Sequence, residues 1–268
     1  MPSAKDYYEA GKLADAIAAM NEEVKKHPTD VNRRGFLCEL LCFAGEIERI
    51  DKQLDTMGDQ DPQAMMGIVL WRQLARAEMA RQQFFTEGRV PDFLDGVPTE
   101  VMKLHMQASI LVRDGKNAEA QALLVEAEEK RPRVSGMCDG VAFDDFRDLD
   151  DLTSSFFEVL TSTGKYYWVP VEKVESLDFK APKRPRDLYW RQVHMVVRDE
   201  GPDGEVYMPV LYTGSDKKKD DDQIRLGRAT DWVTAEGAPV RGLGQRTFLV
   251  GQEDKPVLSL KGVTFNAS

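Results

Sequence analysis

Residues 11–28, which read GKLADAIAAMNEEVKKHP, carry the pattern that decides the first half of the fold. A glycine opens this stretch, small or apolar residues recur along it at helical spacing, and a proline ends it. The same interval of 17 residues separates Gly115 from Pro132, and Gly45 follows Gly11 by 34 residues. A 34-residue period of this kind is typical of tetratricopeptide repeats, in which glycine ends one helix and proline ends the next.

Helical periodicity continues beyond these repeats. Apolar residues recur near 3.6-residue spacing from about residue 63 to residue 86, which predicts one long helix ended by Pro91. Thr99 can cap a further helix that runs to Val112. We expect five to seven helices in a short, irregular solenoid, because each helix pair leaves an apolar face that its neighbour has to cover.

The pattern changes after about residue 138. Six aspartates occur between Asp139 and Asp151, and apolar spacing after them predicts a helix that ends near Gly164. The aromatic run from Tyr166 to Pro170 predicts a strand. Turn residues such as Pro202-Asp203-Gly204 favour antiparallel hairpins between the further strands, which we predict at residues 174–179, 188–197, 206–211, 230–233, 246–250 and 257–265.

These patterns predict an α+β fold. Residues 1–138 are expected to form a TPR-like α-helical repeat domain. Residues 139–268 are expected to form an antiparallel, β-rich domain, either a small barrel or a bent sheet.

Composition restricts the class of function. The 268 residues carry a formal net charge of −10, which opposes non-specific binding to nucleic acid or anionic membranes. No apolar run is long enough to predict a transmembrane helix, and the first residues lack the apolar segment of a secretory signal. Three cysteines fit a reducing compartment better than a disulfide framework. We therefore expect a soluble, cytoplasmic protein.

Motifs for catalysis or metal binding are weak. No Gly-x-Ser-x-Gly motif surrounds a serine, and no P-loop is present. Cys38 and Cys42 lie one helical turn apart among leucines, so we interpret them as buried apolar residues. Asp148 or Asp150 is expected in the first turn of the helix predicted before Gly164. The charged block at residues 217–222 is interpreted as a solvated hairpin tip, with a charged docking loop as the alternative.

Short motifs of one family recur in order across nearly the whole chain, at residues 34–42, 139–143, 164–170, 185–190, 209–215, 225–232 and 242–246. Among them are Gly164-Lys165-Tyr166-Tyr167-Trp168-Val169-Pro170 and Pro185-Arg186-Asp187-Leu188-Tyr189-Trp190. In these motifs the chain resembles the ImpE/TagJ family of type VI secretion accessory proteins.

The resemblance implies a non-enzymatic adaptor without catalytic residues, cofactors or metals. It implies two partners: the N-terminal helix of the small sheath subunit, and the ClpV-type AAA+ unfoldase that recycles contracted sheaths. Packing in the β-rich core is the first expectation for the motif tryptophans, with partner contact as the alternative. The candidate partner-binding residues are Trp168, Arg186, Asp187, Trp190, Arg228 and Trp232.

Two other functions compete with the adaptor. One is a metal-dependent hydrolase that uses the Asp144–Asp151 cluster with His194 across the domain boundary, which requires several of these groups to converge in one cleft. The other is a purely structural subunit of the secretion assembly.

Overall fold

The computed structural model describes residues 2–267, and within them the chain forms eight α-helices. The long helix and the Thr99-capped helix are confirmed, because Thr99 Oγ1 accepts a hydrogen bond from the Met102 backbone N–H at 3.2 Å. The helices are α1 (Ala4–Glu9), α2 (Leu13–Lys26), α3 (Val31–Phe43), α4 (Ile47–Gln60), α5 (Met65–Glu87), α6 (Glu100–Arg113), α7 (Asn117–Lys130) and α8 (Asp222–Arg225).

The glycines of the 34-residue pattern end the first helix of each pair. Gly11, Gly45 and Gly115 follow α1, α3 and α6, and their φ angles are +72°, +73° and +75°. This left-handed backbone is costly for a residue with a Cβ atom, so glycine at these positions lets the chain reverse into the second helix. Seven helices precede residue 131, as predicted.

Short strands follow the long helix, and almost all of them pair antiparallel and lie in the second half of the chain. These are β1 (Asp92–Phe93), β2 (Gly136–Cys138), β3 (Val141–Phe143), β4 (Phe146–Asp148), β5 (Phe156–Leu160), β6 (Tyr166–Pro170), β7 (Val174–Phe179), β8 (Trp190–Val197), β9 (Asp203–Pro209), β10 (Thr230–Val233), β11 (Arg241–Gly244), β12 (Thr247–Val250), β13 (Glu253–Pro256) and β14 (Gly262–Phe265). Nine of them form one sheet in the order β1-β6-β5-β9-β8-β7-β14-β2-β3. Strands β13, β12 and β4 form a second sheet, and β10 pairs with β11. The predicted α+β class is confirmed.

The prediction of a helix before Gly164 was wrong. Residues 156–160 form β5, which is hydrogen-bonded between β6 and β9, and all five of its residues are buried. A central strand covered on both faces reads as a continuous apolar run, and over so few residues such a run also fits helical spacing. Asp150 caps a 3₁₀ turn instead, where its Oδ1 accepts from the Leu152 backbone N–H at 2.9 Å.

The charged block at residues 217–222 is not a hairpin tip. It connects a 3₁₀ turn to helix α8, and Asp221 caps that helix by accepting from the Gln223 N–H at 2.9 Å. Asp222 Oδ2 accepts from the backbone N–H of Leu13 at 2.8 Å. The block therefore attaches the second half of the chain to the first turn of α2.

Helix α5 packs directly on the large sheet. The ring of Phe84 meets Trp168 of β6 edge to face, with 4.7 Å between their centroids. The short strand β1 follows α5 and pairs in parallel with β6, so the chain joins the sheet as soon as the long helix ends. One apolar core contains buried residues from both halves. The domain boundary at residue 138 remains a prediction.

A cluster of buried charges joins α5 to the sheet. Arg81 of α5 donates to Glu78 Oε1 at 3.1 Å and to Glu158 of β5 at 2.9 and 3.2 Å. Arg246 also donates to Glu158 and to Asp148 of β4. All five side chains are almost completely excluded from solvent. Three carboxyl groups thus share two guanidinium groups, and burial raises the pKa of Glu78 and that of Asp148, the latter to about 6.

Aromatic donors complete this cluster. The Tyr166 hydroxyl donates to Glu158 at 2.5 Å and accepts from the indole N–H of Trp168 at 2.7 Å. The indole N–H of Trp190 donates to Glu78 at 3.1 Å. Burial by itself raises the pKa of a carboxyl group. At Glu158 the two adjacent guanidinium groups outweigh burial and hold the pKa at about 2.

We predict that Glu158→Gln strongly destabilises the protein. Arg81, Arg246 and Tyr166 share the carboxylate of Glu158, and breaking a buried ion pair costs about 3–5 kcal/mol of unfolding free energy. Urea unfolding followed by circular dichroism measures this change. Glu100→Gln is the control, because Glu100 pairs with Lys103 at the exposed start of α6 and its loss should matter little. Equal stability of the two variants would contradict a structural role for the cluster.

A second prediction concerns His105, which is completely buried on α6 and bonded through Nε2 to Ser155 Oγ at 2.8 Å. Burial, aided by the positive charge of Arg147, lowers its pKa to about 3. Between pH 6.5 and 3 the unfolded state therefore binds a proton that the folded state refuses. His105 therefore costs no unfolding free energy above pH 6.5. Below that pH the unfolding free energy falls by about 1.4 kcal/mol per pH unit.

The measurement is the unfolding free energy of the wild type and of His105→Gln as a function of pH. The variant should lack this part of the acid sensitivity, and the exposed His27→Gln variant should retain it. Parallel pH curves for the wild type and His105→Gln would contradict the assignment.

Candidate functional site

The acidic residues of the hydrolase hypothesis do not form a metal site. Asp145 binds Arg131, Asp148 binds Arg246, Asp150 binds Arg241 and Asp151 binds Arg147. Each of these four carboxylates thus has its own arginine partner. Across the described range of 2–267, no group of three His, Cys, Asp or Glu side chains is arranged to hold a metal.

His194 lies elsewhere. It is half-buried on β8, where Nε2 is 2.8 Å from Asp203 and Nδ1 is 3.5 Å from Glu205 of the neighbouring strand β9. The contacts of His194 are with this pair on the adjacent strand, while the aspartates of the acidic stretch are held by their arginines. The hydrolase hypothesis therefore has no observation in its favour.

The candidate partner-binding residues fall into two groups. Trp168 and Trp190 are 0% and 1% exposed, and both belong to the buried charge cluster. Their surfaces are covered by the protein itself, as the packing interpretation predicts. A partner contacts neither side chain in this conformation.

Of the other four, Arg228 is exposed, Asp187 and Trp232 are half-buried and Arg186 is buried, and they serve different local roles. Arg228 donates to the backbone carbonyls of Tyr8 and Glu9 at 2.6 and 3.0 Å, which ties the second half of the chain to α1. Asp187 accepts from the Lys183 N–H at 2.9 Å. Trp232 is half-buried on β10, with its ring centroid 5.8 Å from that of Tyr212. Arg186 stacks on Trp71, with 4.7 Å from its Cζ to the ring centroid.

The sheet-facing side of the helical layer is already occupied. The 3₁₀ turn Pro185–Leu188 packs on α3, and the ring of Tyr189 meets Phe43 at 5.4 Å between centroids. Asp222 and Arg228 contact the first two helices in the same way. A partner helix therefore does not find a free groove on this side of the repeats.

An open apolar groove lies on the opposite face of the large sheet. Glu158 and Trp168 point towards α5, so the alternating residues Val159 and Val169 point away from it. The groove has a volume of about 330 Å³. Its apolar lining comes from four strands and the segment after β1, and consists of Leu94, Val159, Tyr167, Val169, Met195, Val197 and Val206.

The rim of the groove is polar and largely acidic. Asp203 and Glu205 are exposed on β9, and Thr161 and Thr163 lie at the end of β5. His194 and the exposed Lys165 are the basic groups nearby, and each of them contacts an acidic side chain. An apolar floor with acidic edges suits an amphipathic segment that carries basic residues beside its apolar side chains.

Sequence reasoning did not find this groove. The sequence patterns predict Val159 in the helix before Gly164, Tyr167 and Val169 in a strand, and Pro202-Asp203-Gly204 as a turn. The alternation in Tyr167-Trp168-Val169 shows only that two faces of a strand are both apolar. Which face is covered depends on where α5 docks.

Comparison with known proteins identifies the family of the chain. The chain is 30% identical over 262 residues to the type VI secretion system accessory component TagJ of Pseudomonas aeruginosa, an alignment that spans 98% of this chain and 90% of that protein. The profile of the family described as ImpE protein matches residues 140–264. The chain belongs to the ImpE/TagJ family.

The fold of this ImpE/TagJ protein also matches a solved structure. The crystal structure of protein VPA1032 from Vibrio parahaemolyticus superposes with a TM-score of 0.91 at 27% identity, and the match covers 99% of this chain and 98% of that one. The groove lies almost entirely within the residues that the family profile covers, since Leu94 alone precedes residue 140. None of the helices in the described part of the chain has the length and apolar character needed to cross a membrane.

Proposed function

We propose that this protein is a non-enzymatic accessory adaptor of a type VI secretion system and acts in the cytoplasm. The observation that carries this proposal is the end-to-end similarity to the accessory component TagJ, which spans 98% of the chain. The buried position of its strongest charge cluster supports a structural use of those residues, because Glu158 and Arg81 are enclosed by protein rather than open to a substrate.

The partner that fits best is the N-terminal helix of the small sheath subunit, as the family resemblance implies. We place this helix in the groove on the free face of the sheet. Apolar side chains one helical turn apart would fill the floor beside Val169 and Met195. Basic residues flanking those anchors would meet the rim carboxylates Asp203 and Glu205, which carry part of the net charge of −10.

The second part of the proposal is a link to the ClpV-type AAA+ unfoldase. An adaptor that holds a sheath subunit by its terminal helix leaves the rest of that subunit accessible. Bringing the unfoldase to the same complex would raise its local concentration at the contracted sheath and favour disassembly and recycling.

We predict that a charge placed in the groove weakens binding of the helix. Calorimetric titration with a synthetic peptide of the small sheath subunit's N-terminal helix, from the same genome, should give one-to-one binding. Val206→Lys should weaken it at least about tenfold, because a hydrated ammonium group would occupy the apolar floor and repel the basic flank. Val233→Lys is the matched control, since Val233 is 52% exposed on β10 and lies outside the groove.

The titration distinguishes a wrong binding site from a wrong partner. Tight binding that Val206→Lys leaves unchanged would remove the groove from the proposal and keep the partner. No binding of the peptide, together with no retention of the full sheath subunit by the immobilised protein, would contradict the partner itself.

A separate prediction tests the link to the unfoldase. Immobilised ClpV-type unfoldase from the same genome should retain more of the small sheath subunit when this protein is added. With the Val206→Lys variant, the increase in retained sheath subunit should disappear, while the unfoldase should still retain the variant adaptor. Equal retention of the sheath subunit with and without the adaptor would contradict a bridging role.

A further inference from the structure

Arg186 has an unusual environment at the seam between the helices and the sheet. Only 9% of the residue is exposed, and its guanidinium lies over the ring of Trp71 at 4.7 Å. In the described part of the chain this guanidinium forms neither a hydrogen bond nor an ion pair within 4.0 Å, although Glu39 and Asp187 are nearby. The deeply buried Arg81 and Arg246 are bound directly to carboxylates, and the buried Arg191 donates to backbone carbonyls.

The guanidinium of Arg186 has no acceptor in the described part of the protein, and its nitrogens keep some contact with solvent. It carries five N–H donors in one plane. The contact with Trp71 holds the group in place and leaves these donors without a protein acceptor. Such a planar set of donors matches a carboxylate, which accepts two parallel hydrogen bonds from it.

The surrounding segment is the basic part of an acidic protein. Residues 180–186 read KAPKRPR and contain four basic and no acidic residues, whereas the whole chain has a net charge of −10. Lys183 and Arg184 are exposed beside Arg186. The carboxylate of Asp187 accepts the backbone N–H groups of Lys183 and Arg184, and with it residues 180–187 keep a formal net charge of +3. This segment therefore attracts negative charge.

We propose that Arg186, stacked on Trp71 and flanked by Arg184, binds the side-chain carboxylate of an acidic segment in a partner protein. The site faces the helical layer, because its 3₁₀ turn packs on α3. The groove proposed for the sheath helix lies on the other face of the sheet and has an acidic rim. The two sites thus select segments of opposite charge, and this inference does not depend on the proposed function.

Glu39 of α3 gives the site a dependence on pH. Its carboxyl group lies beside the backbone N–H of Arg186, and burial, opposed by Arg186 and Arg184, raises its pKa to about 7. Ionised Glu39 would repel an incoming carboxylate, whereas protonated Glu39 can donate a hydrogen bond to it. The charged and titratable groups that face Glu39 are Tyr8 of α1, Cys38 and Cys42 of α3, and the residues Arg184, Arg186 and Asp187 of the turn.

The probe is a short capped peptide of alternating glycine and glutamate, compared with the same peptide containing glutamine. NMR of the arginine Nε–H and tryptophan indole N–H groups follows the full-length protein. At millimolar glutamate peptide, the signals of Arg186 and Trp71 should shift and saturate, and the glutamine peptide should leave them in place. Arg186→Lys should weaken binding at least about tenfold, because lysine keeps the charge and loses the planar pair of donors.

Arg89→Lys is the matched control, because Arg89 is partly exposed at the end of α5 and bonds Gln83. Equal binding of the glutamine peptide, equally tight binding of inorganic phosphate, or an unchanged affinity in Arg186→Lys would each overturn the assignment to a carboxylate.

The Glu39→Gln variant gives a second test. If Arg186 had only a structural role, this substitution would leave peptide binding unchanged. In this proposal only protein with a protonated Glu39 binds the glutamate peptide. At pH 8 about a tenth of the protein molecules carry that proton. The variant should therefore bind the glutamate peptide about tenfold more tightly than the wild type at pH 8, and about equally at pH 6. The same affinity for both proteins at pH 8 would contradict the role of Glu39.

Discussion

The guanidinium of Arg81 lies where α5 meets the sheet, in a position that water does not reach. A charge in such a place is tolerated only when carboxylates neutralise it directly. One of those carboxylates, Glu78, comes from the same helix, and the other, Glu158, comes from the central strand β5. Helix α5 therefore has one position on the sheet, because a slide or rotation would leave a buried charge without its partner.

This constraint extends through the molecule. Arg246 binds both Glu158 and Asp148, so the small sheet that contains β4 is held to the same point. Because α5 is fixed on one face of the large sheet, the helices that pack on α5 are fixed as well. The turn at 185–188 and the segment around Asp222 then cover the remaining sheet-facing side of the helices.

The surfaces available to partners follow from that arrangement. The side of the repeats that would usually hold a peptide is filled by the chain's own second half, and the apolar groove lies on the far face of the sheet. Trp168 and Trp190 illustrate the consequence. Both belong to family motifs, and both are enclosed because their indole N–H groups serve the buried cluster. Exposed positions near them, rather than the tryptophans themselves, remain for recognition.

The sequence by itself determined the helical repeats, most strands and the absence of recognised catalytic motifs. Gly11, Gly45 and Gly115 identify helix ends because a left-handed backbone is a local property of the chain, and periodicity is likewise local. It did not determine β5, whose apolar run fits a helix or a covered strand equally well until its neighbours are known.

Only the tertiary structure decided where the charges and surfaces lie. Glu158 and Arg81 are 77 residues apart in the chain, and nothing local in either segment indicates that they meet. The groove and the unpaired Arg186 depend in the same way on which faces α5 and α3 cover. Long-range packing sets these features, because exposure is a property of the assembled fold and not of any segment alone.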